Sequence, residues 1–304
     1  MRKSKTHLQK KHAINVLCGV REANKNNANL PHKDLKQTKG VSKEYCQQIY
    51  DEIYFEILGF EQSSTIQIVS NYAKECNVEL RLDNSTLSHA NFMQQDDNKT
   101  STLSQEYGII ASGLIQNLET FFNILESLFA EKMIKGNIAE FVIQKLQQNK
   151  QNICIAESCT GGVLSSMITA VNGASSVFKG GITTYSIQSK QQILGVKDSI
   201  IKEHGVYSEA CVRAMARGVL DLFQADIAIA TSGLATKDTS ANNFLNLPAG
   251  MVFTCVLIRD RLPISISHNY LSHSHNIAPK DSRIFVQKEA SLNSLRLLLN
   301  VLAY

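Results

Sequence analysis

The sequence predicts an α/β fold class: a three-layer α/β/α sandwich with a mixed, mostly parallel sheet, preceded by a small α-rich accessory region and a disordered basic N-terminus. Two observations predict it. From residue 132 onwards, short apolar runs typical of buried strands alternate with amphipathic runs typical of helices. Two strand-like segments, Met251–Ile258 and Ile264–Tyr270, follow each other before the last helix, so the sheet is not expected to be purely parallel.

The elements of the sandwich occupy residues 132–304, which we interpret as one domain. An apolar stripe at helical spacing predicts a first helix that ends near Lys150. Ala225–Thr231 is apolar at almost every position, as expected of a strand in the middle of a sheet. The other predicted strands are Ile153–Ala156 and Gly181–Tyr185, and the other predicted helices are Gly161–Ala170, Gln188–Leu194, Ser208–Gln224 and Ser282–Leu302.

Residues 43–131 form an accessory α/β region in this interpretation. Apolar residues recur every four positions over Glu44–Leu58, which predicts a helix. Two more helices are predicted over Thr65–Cys76 and Ser112–Ala130, with a short strand at Val78–Leu82 between them. The region carries no chemical motif. Its role stays open between an accessory domain, a dimerisation surface and the remnant of a larger domain.

Composition favours a packed protein with a charged tail. Hydrophobic residues make up 43% of the chain and charged residues 19%, which excludes global disorder. No apolar run reaches the roughly 20 residues of a membrane span, so a cytoplasmic protein without a membrane partner is expected. The first 45 residues hold 11 Lys and Arg against 3 Asp and Glu. We interpret residues 1–42 as a solvated tail; nucleic acid binding is disfavoured because no aromatic residue before Tyr45 could stack on a base.

No metal or cofactor is expected. The seven cysteines include no Cys-x-x-Cys pair, which argues against a zinc cluster and against a disulfide framework. Buried free thiols are the simpler interpretation. His268, His273 and His275 lack a carboxylate or cysteine at supporting spacing, so a metal site there is disfavoured.

The strongest candidate for chemistry is the segment Ala156–Gly162, which reads Ala-Glu-Ser-Cys-Thr-Gly-Gly. A buried strand leads into it and a helix follows. The Ser158 hydroxyl therefore lies at the carboxyl end of a strand, where open α/β sheets bind their ligands. The backbone N–H groups of such a helix start suit an oxyanion or a phosphate. From these residues alone, a plain helix cap by Ser158 or Thr160 is the ordinary interpretation.

A base for Ser158 is offered by the next strand–helix unit. A serine needs one, since a free hydroxyl is a poor nucleophile. Lys190 lies five residues after a strand that ends at Tyr185. A partly desolvated lysine has a lowered pKa and can take a proton, and the Tyr185 hydroxyl can donate to or accept from either partner. Taken singly, Lys190 is ordinarily interpreted as a surface lysine.

Four segments in this order resemble one family. They are Ala156–Gly162, Gly181–Lys190, Leu194–Val196 and His204–Glu209. Their residues and spacing are similar to the CinA C-terminal domain, the nicotinamide-nucleotide amidohydrolase (PncC-type) family. The resemblance extends over about 100 residues and weakens toward the C-terminus.

The resemblance implies an activity and assigns roles. The activity is the hydrolysis of nicotinamide mononucleotide to nicotinate mononucleotide and ammonia, a step of pyridine nucleotide recycling. Ser158 would be the nucleophile, Lys190 the general base and Tyr185 an assistant of the proton transfer, without a metal. Substrate would be bound by the turn residues Thr160, Gly161 and Gly162, by Ser232 and Gly233 after a central strand, and by the cationic Arg283. Glu157 is expected to be structural, and a homodimer is implied.

The chain departs from the family pattern after the strand that ends near Thr231. Gly233, Pro248 and Gly250 remain, but the central Gly-Pro and the following glycines do not, and Leu247 stands before the proline. Other residues than glycine restrict the backbone of such a loop. Two alternatives therefore stay open: a non-catalytic nucleotide-binding or regulatory protein, and an amidohydrolase that acts on a different amide.

Overall fold

The computed structural model describes residues 50–60, 62–82, 108–237, 239, 241–243, 245–272 and 281–303. The predicted basic tail lies outside these residues, as do His273 and His275. The strands are β1 (Tyr50–Ile57), β2 (Glu79–Leu82), β3 (Ile109–Leu114), β4 (Met133–Lys135), β5 (Ile153–Glu157), β6 (Phe178–Thr183), β7 (Ile227–Gly233), β8 (Met251–Ile258) and β9 (Ile264–Asn269). The helices are α1 (Gln62–Glu75), α2 (Ile115–Phe129), α3 (Ile138–Asn149), α4 (Val163–Thr169), α5 (Ile187–Leu194), α6 (Asp198–His204), α7 (Glu209–Phe223) and α8 (Ser282–Leu302).

The C-terminal sheet has five strands in the order β6-β5-β7-β8-β9. β5 is parallel to β6 and to β7, whereas β8 is antiparallel to both of its neighbours. Four of the five strands therefore run in one direction, and the predicted mixed, mostly parallel sheet is confirmed. β5 is buried at every position because it lies inside the sheet and under helices on both faces.

Helices cover both faces of this sheet, and the side chains of the strands explain which helix packs where. Ile153 and Ile155 of β5 point to the face covered by α3, α4 and α8. The alternate residues Cys154 and Ala156 point to the face covered by α5, α6 and α7. Small residues on this second face let α7 approach the strands closely. The result is the predicted α/β/α sandwich.

The region in front of the sandwich contains a second sheet. Its elements follow the order β-α-β-β-α-β, and its strands lie in the antiparallel order β2-β3-β1-β4. α1 and α2 pack on one face, where Phe55, Phe121 and Phe122 form edge-to-face contacts. The predicted helices near α1 and α2 are present. β3 and β4 have no counterpart among the predicted elements.

The helix predicted over Glu44–Leu58 is wrong where the structure describes it, because residues 50–57 form β1. The reason lies in the period of the pattern. Residues four positions apart share a face of a helix, but they also share a face of a strand, since four is a multiple of two. Ile53, Phe55 and Ile57 face α1 and α2 together, and this alternation decides for the strand.

A buried ion pair joins the front sheet to α8. The Arg296 guanidinium donates to both carboxylate oxygens of Glu56, at 2.8 and 2.9 Å. The Tyr54 hydroxyl also hydrogen-bonds Glu56, and Asn293 accepts from Arg296 at 2.8 Å. Glu56 and Arg296 are only 1% and 5% exposed, so each charge is stabilised by the other rather than by water.

Among the described helices, none is long and apolar enough to cross a membrane.

Candidate active site

The serine turn, which we define as Ser158–Gly162, connects β5 to α4. Gly161 and Gly162 have φ values of 64° and 101°, which other residues adopt only with strain. The buried Glu157 carboxylate, directly before the turn, accepts hydrogen bonds from the N–H groups of Gly162 and Ser165 at 2.9 Å. It also accepts from Leu164 N–H and from the Ser165 hydroxyl. Glu157 thus fixes the turn against the first residues of α4, which agrees with the structural role expected for it.

Ser158 and Lys190 are in direct contact. Lys190 Nζ lies 2.8 Å from Ser158 Oγ and donates to the Thr184 carbonyl oxygen at 2.6 Å. Ser158 is 5% exposed and Lys190 1%. The distance between the two groups falls in the range expected for a nucleophile and its base. A capping box formed by Ser186 and Ser189 starts α5 and so sets the position of Lys190 one turn further on.

Burial lowers the pKa of Lys190. Within the described residues, Lys190 forms no ion pair that would hold its proton. A larger share of the amine is therefore neutral than in a solvated lysine. A neutral Nζ has a lone pair that can take the proton of the Ser158 hydroxyl at hydrogen-bond distance.

A pocket of about 370 Å³ opens over this pair. Of the residues predicted for the site, Ser158, Lys190, Tyr185, Gly233 and Arg283 line it. Its volume lies in the usual range for small-molecule sites. Several parts of the chain thus converge there: the serine turn, residues 185–190, residues 206–207 before α7, the end of β7 with the loop that follows it, and the start of α8.

Arg283 spans the mouth of the pocket. Its guanidinium donates to the Tyr185 hydroxyl at 3.3 Å and to the Thr236 hydroxyl at 2.7 Å. Neither partner carries a charge, and no described carboxylate forms an ion pair with Arg283. Its positive charge is therefore available to an anionic group at the pocket mouth.

Comparison with known proteins shows to which family the chain belongs. The model of the CinA C-terminal domain matches residues 135–302, more than half of the chain. The chain belongs to the CinA family. A CinA-like protein of Thermotoga neapolitana is 42% identical over 135 residues, which cover 44% of this chain and 32% of that protein. The chain thus spans about a third of the length of this relative.

Two further proteins are similar to this chain. Protein MG115 homolog of Mycoplasma pneumoniae is 42% identical over 123 residues, 40% of this chain and 76% of that protein. A crystal structure of a CinA superfamily protein from Klebsiella pneumoniae aligns with a TM-score of 0.49 at 28% identity. The alignment covers 55% of this chain and 96% of that one.

Four of the residues predicted to bind substrate do not line the pocket of this CinA domain. The Thr160 hydroxyl lies 2.7 Å from that of Thr231, and the Ser232 hydroxyl donates to the Val206 carbonyl at 2.9 Å. The N–H of Gly161 donates to Ser158 O, and the N–H of Gly162 donates to Glu157. These groups are used inside the fold, where they hold the serine turn and the end of β7 in place.

Tyr185 lines the pocket of the CinA domain but differs from the expectation in its contacts. It is 64% exposed, and its hydroxyl accepts from Arg283. Within the described residues it has no hydrogen bond to Ser158 or Lys190. The structure therefore provides no path by which Tyr185 could assist the proton transfer between these two groups directly.

The altered loop contributes residues that the sequence interpretation did not single out. Asn242 lines the pocket, together with Gln188 and Tyr207. The side chain of Asn243 donates to the Leu247 carbonyl and accepts from the Leu247 N–H, at 3.0 and 2.9 Å. This pair of bonds closes the loop just before Pro248. In the sequence, the polar composition of residues 236–243 could have indicated that an amide side chain of this loop lines the pocket.

Among the described residues, no group of three or more His, Cys, Asp or Glu side chains is arranged to hold a metal ion. His268 packs its ring against Tyr270, with 4.6 Å between the ring centroids. The thiols of Cys154 and Cys159 are buried, and burial raises the pKa of each to about 12, so both stay protonated at neutral pH.

Proposed function

We propose that this protein hydrolyses the carboxamide of nicotinamide mononucleotide to nicotinate mononucleotide and ammonia. The observation that carries the proposal is the 2.8 Å contact between Lys190 Nζ and Ser158 Oγ, both buried at the base of a pocket. A buried amine beside a hydroxyl is the arrangement of a Ser-Lys hydrolase. Membership of the CinA family and the motif around Ser158 support the choice of substrate.

In the first half of the reaction, Ser158 Oγ attacks the carboxamide carbon while the neutral Lys190 takes the hydroxyl proton. A tetrahedral oxyanion forms. The C–N bond then breaks, and the Lys190 ammonium gives its proton to the leaving nitrogen, which departs as ammonia. The substrate acyl group stays on Ser158 as an ester.

In the second half, water cleaves this ester. Lys190 takes a proton from the water as its oxygen attacks the acyl carbon, and returns a proton to Ser158 as the ester C–O bond breaks. The product leaves as a carboxylic acid and ionises in solution. Lys190 ends the cycle neutral, as it began.

Charge on the substrate is matched by two parts of the pocket lining, the serine turn and Arg283. The N–H group of Cys159, directly after the nucleophile, is assigned to the oxyanion. Arg283 at the mouth is assigned to the phosphate, since a guanidinium binds phosphate oxygens through several N–H donors. The N–H groups of Gly161 and Gly162 are not assigned to either, because they already bond within the turn.

The proposal is tested by measuring ammonia release from nicotinamide mononucleotide. We expect Ser158→Ala and Lys190→Met each to lower kcat by at least about 10³-fold. Where two residues act as a unit, replacing either one removes nearly all of the activity. Lys197→Met is the matched control, since Lys197 is exposed on the same side of the sheet and outside the pocket. Equal, slow ammonia release by the wild type and by Ser158→Ala would exclude the proposed enzyme.

The loop of residues 233–247 favours a second candidate, an amidohydrolase for a different amide. Asn242 places a carboxamide in the pocket wall, and the glycines that would let the backbone approach a ligand are replaced. Hydrolysis of another amide, with nicotinamide mononucleotide left intact, would support this candidate. Thermal stabilisation by the nucleotide without turnover would instead indicate a binding or regulatory protein.

A further inference from the structure

One side chain of helix α8 donates a hydrogen bond to the serine turn. Gln287 Nε2 donates to the carbonyl oxygen of Cys159 at 3.1 Å. The same nitrogen lies so close to Gly161 that a Cβ built on this glycine would approach it to 2.9 Å. Gln287 therefore packs against the turn as well as bonding to it, and Gly161 provides the space for that approach.

The contact acts on the Cys159 carbonyl, whereas other groups hold the neighbouring residues of the turn: Lys190 contacts Ser158, and Thr231 contacts Thr160. Glu157 holds the end of the turn by bonding to Gly162 and to α4. Ser158 O accepts from Gly161 N–H, which closes the turn on itself. Among the described residues, Gln287 alone donates to the carbonyl between them. Because a peptide group is planar, fixing the Cys159 carbonyl also fixes the direction of the Thr160 N–H.

Gln287 is itself held in place by α8. Its backbone carbonyl accepts the Ser291 hydroxyl at 2.7 Å. The neighbouring Val286 and Ala290 are buried in a cluster that includes Cys159. Arg283 lies one helical turn before Gln287, and residues four apart share a face of a helix. One face of α8 thus contacts both the mouth of the pocket and the serine turn.

We propose that Gln287 is a positioning residue for the Ser158 nucleophile. It touches none of the reacting atoms. Its hydrogen bond keeps the Cys159–Thr160 peptide, and with it Ser158 Oγ, in the geometry that Lys190 and an oxyanion require. The inference rests on the proposed function, because it assigns a task within the same site.

The test compares side chains with and without a donor at position 287. Gln287→Met keeps the length and removes the donor, and Gln287→Glu keeps the shape but presents an acceptor to the Cys159 carbonyl. Gln287→Lys returns an N–H donor. Lys288→Met, on the exposed side of the same helix, is the control. Each variant is assayed for kcat and KM with nicotinamide mononucleotide and for the rate at which a fluorophosphonate labels Ser158, forming a P–O bond and releasing fluoride.

We expect Gln287→Met and Gln287→Glu to lower kcat and the labelling rate together by about 10- to 100-fold, since small displacements of a reacting group cost this much. KM should stay within about twofold of wild type, as for a group that acts on the transition state rather than on binding. Gln287→Lys should recover most of the loss. Wild-type kcat and labelling in both donor-free variants, or a change in KM alone, would overturn the assignment.

Fluorophosphonate labelling separates this inference from the proposed substrate. If wild-type Ser158 is labelled but no ammonia is released, the proposed substrate fails, and the labelling rates of the variants still decide the role of Gln287. If Ser158 of the wild type reacts with neither reagent, the turn carries no nucleophile and the assignment of Gln287 falls as well. If Gln287→Met does not fold, the isosteric Gln287→Glu decides.

Discussion

At the scale of single residues, the chemistry of the site depends on the environment of Lys190. A lysine with a carboxylate partner would stay protonated and could not act as a base. Lys190 instead contacts a hydroxyl and a carbonyl oxygen, and burial lowers its pKa. The same fold that hides the amine from water thus also prepares it to accept a proton from Ser158.

The pH dependence of the reaction follows from this pKa. Lys190 acts in its neutral form, so kcat/KM should rise with pH through the lowered pKa of Lys190 and level off above it. The inflection should lie below the ordinary value for lysine. Lys197→Met should keep this profile, measured as ammonia release across the pH range. A flat profile in the wild type would mean that Lys190 is not the base.

The lowered pKa of Lys190 also makes the stability of the protein depend on pH. Between the lowered pKa of Lys190 in the folded protein and the ordinary value in the unfolded chain, the unfolded chain binds a proton that the folded protein does not. Stability should therefore rise with pH across this window. Urea unfolding of the wild type and of Lys190→Met at several pH values measures the difference, and the variant should lack this contribution.

At the scale of elements, a part of the site could be predicted from the sequence where the residues that form it are neighbours in the chain. β5 and the serine turn were predictable because four apolar residues, Ile153–Ala156, are followed within a few positions by a Gly-Gly pair. Thr160 and Ser232 were assigned to substrate instead of to hydrogen bonds inside the fold, since their partners lie 71 and 26 residues away. Gln287 lies 128 residues from Cys159, and no spacing in the sequence indicates that contact.

The junction of β5 and α4 depends on Glu157, whose carboxylate is buried and accepts four hydrogen bonds. Glu157→Gln replaces one oxygen by an NH₂ group that would face N–H donors. We expect a loss of about 1–3 kcal/mol in the free energy of unfolding, as for buried groups left without a partner, measured by urea denaturation. Glu140→Gln, at an exposed position early in α3, is the matched control and should change stability by less than about 0.5 kcal/mol.

At the scale of the whole molecule, the front sheet and the CinA domain meet at α8. The sequence predicted the two regions but not this link, because Glu56 and Arg296 are 240 residues apart. Glu56 lies in β1, the segment that was wrongly predicted as a helix. The sequence interpretation therefore gave no indication that its carboxylate is buried. α8 now connects three features: the pocket mouth at Arg283, the serine turn at Gln287 and the front sheet at Arg296.

Breaking the buried pair should cost far more than breaking an exposed one on the same sheet. Glu56→Gln or Arg296→Met alone leaves a buried charge without its partner, which typically costs about 3–5 kcal/mol. Glu52 pairs with Arg81 on the surface of the sheet at 2.7 Å, and Glu52→Gln should cost less than about 1 kcal/mol. The double variant Glu56→Met/Arg296→Met should recover part of the loss, because no uncompensated charge remains. Urea unfolding of the full chain measures all four. If Glu56→Gln and Glu52→Gln are equally stable, the pair does not anchor α8, and the front sheet contributes nothing to the position of the helix that contacts the serine turn.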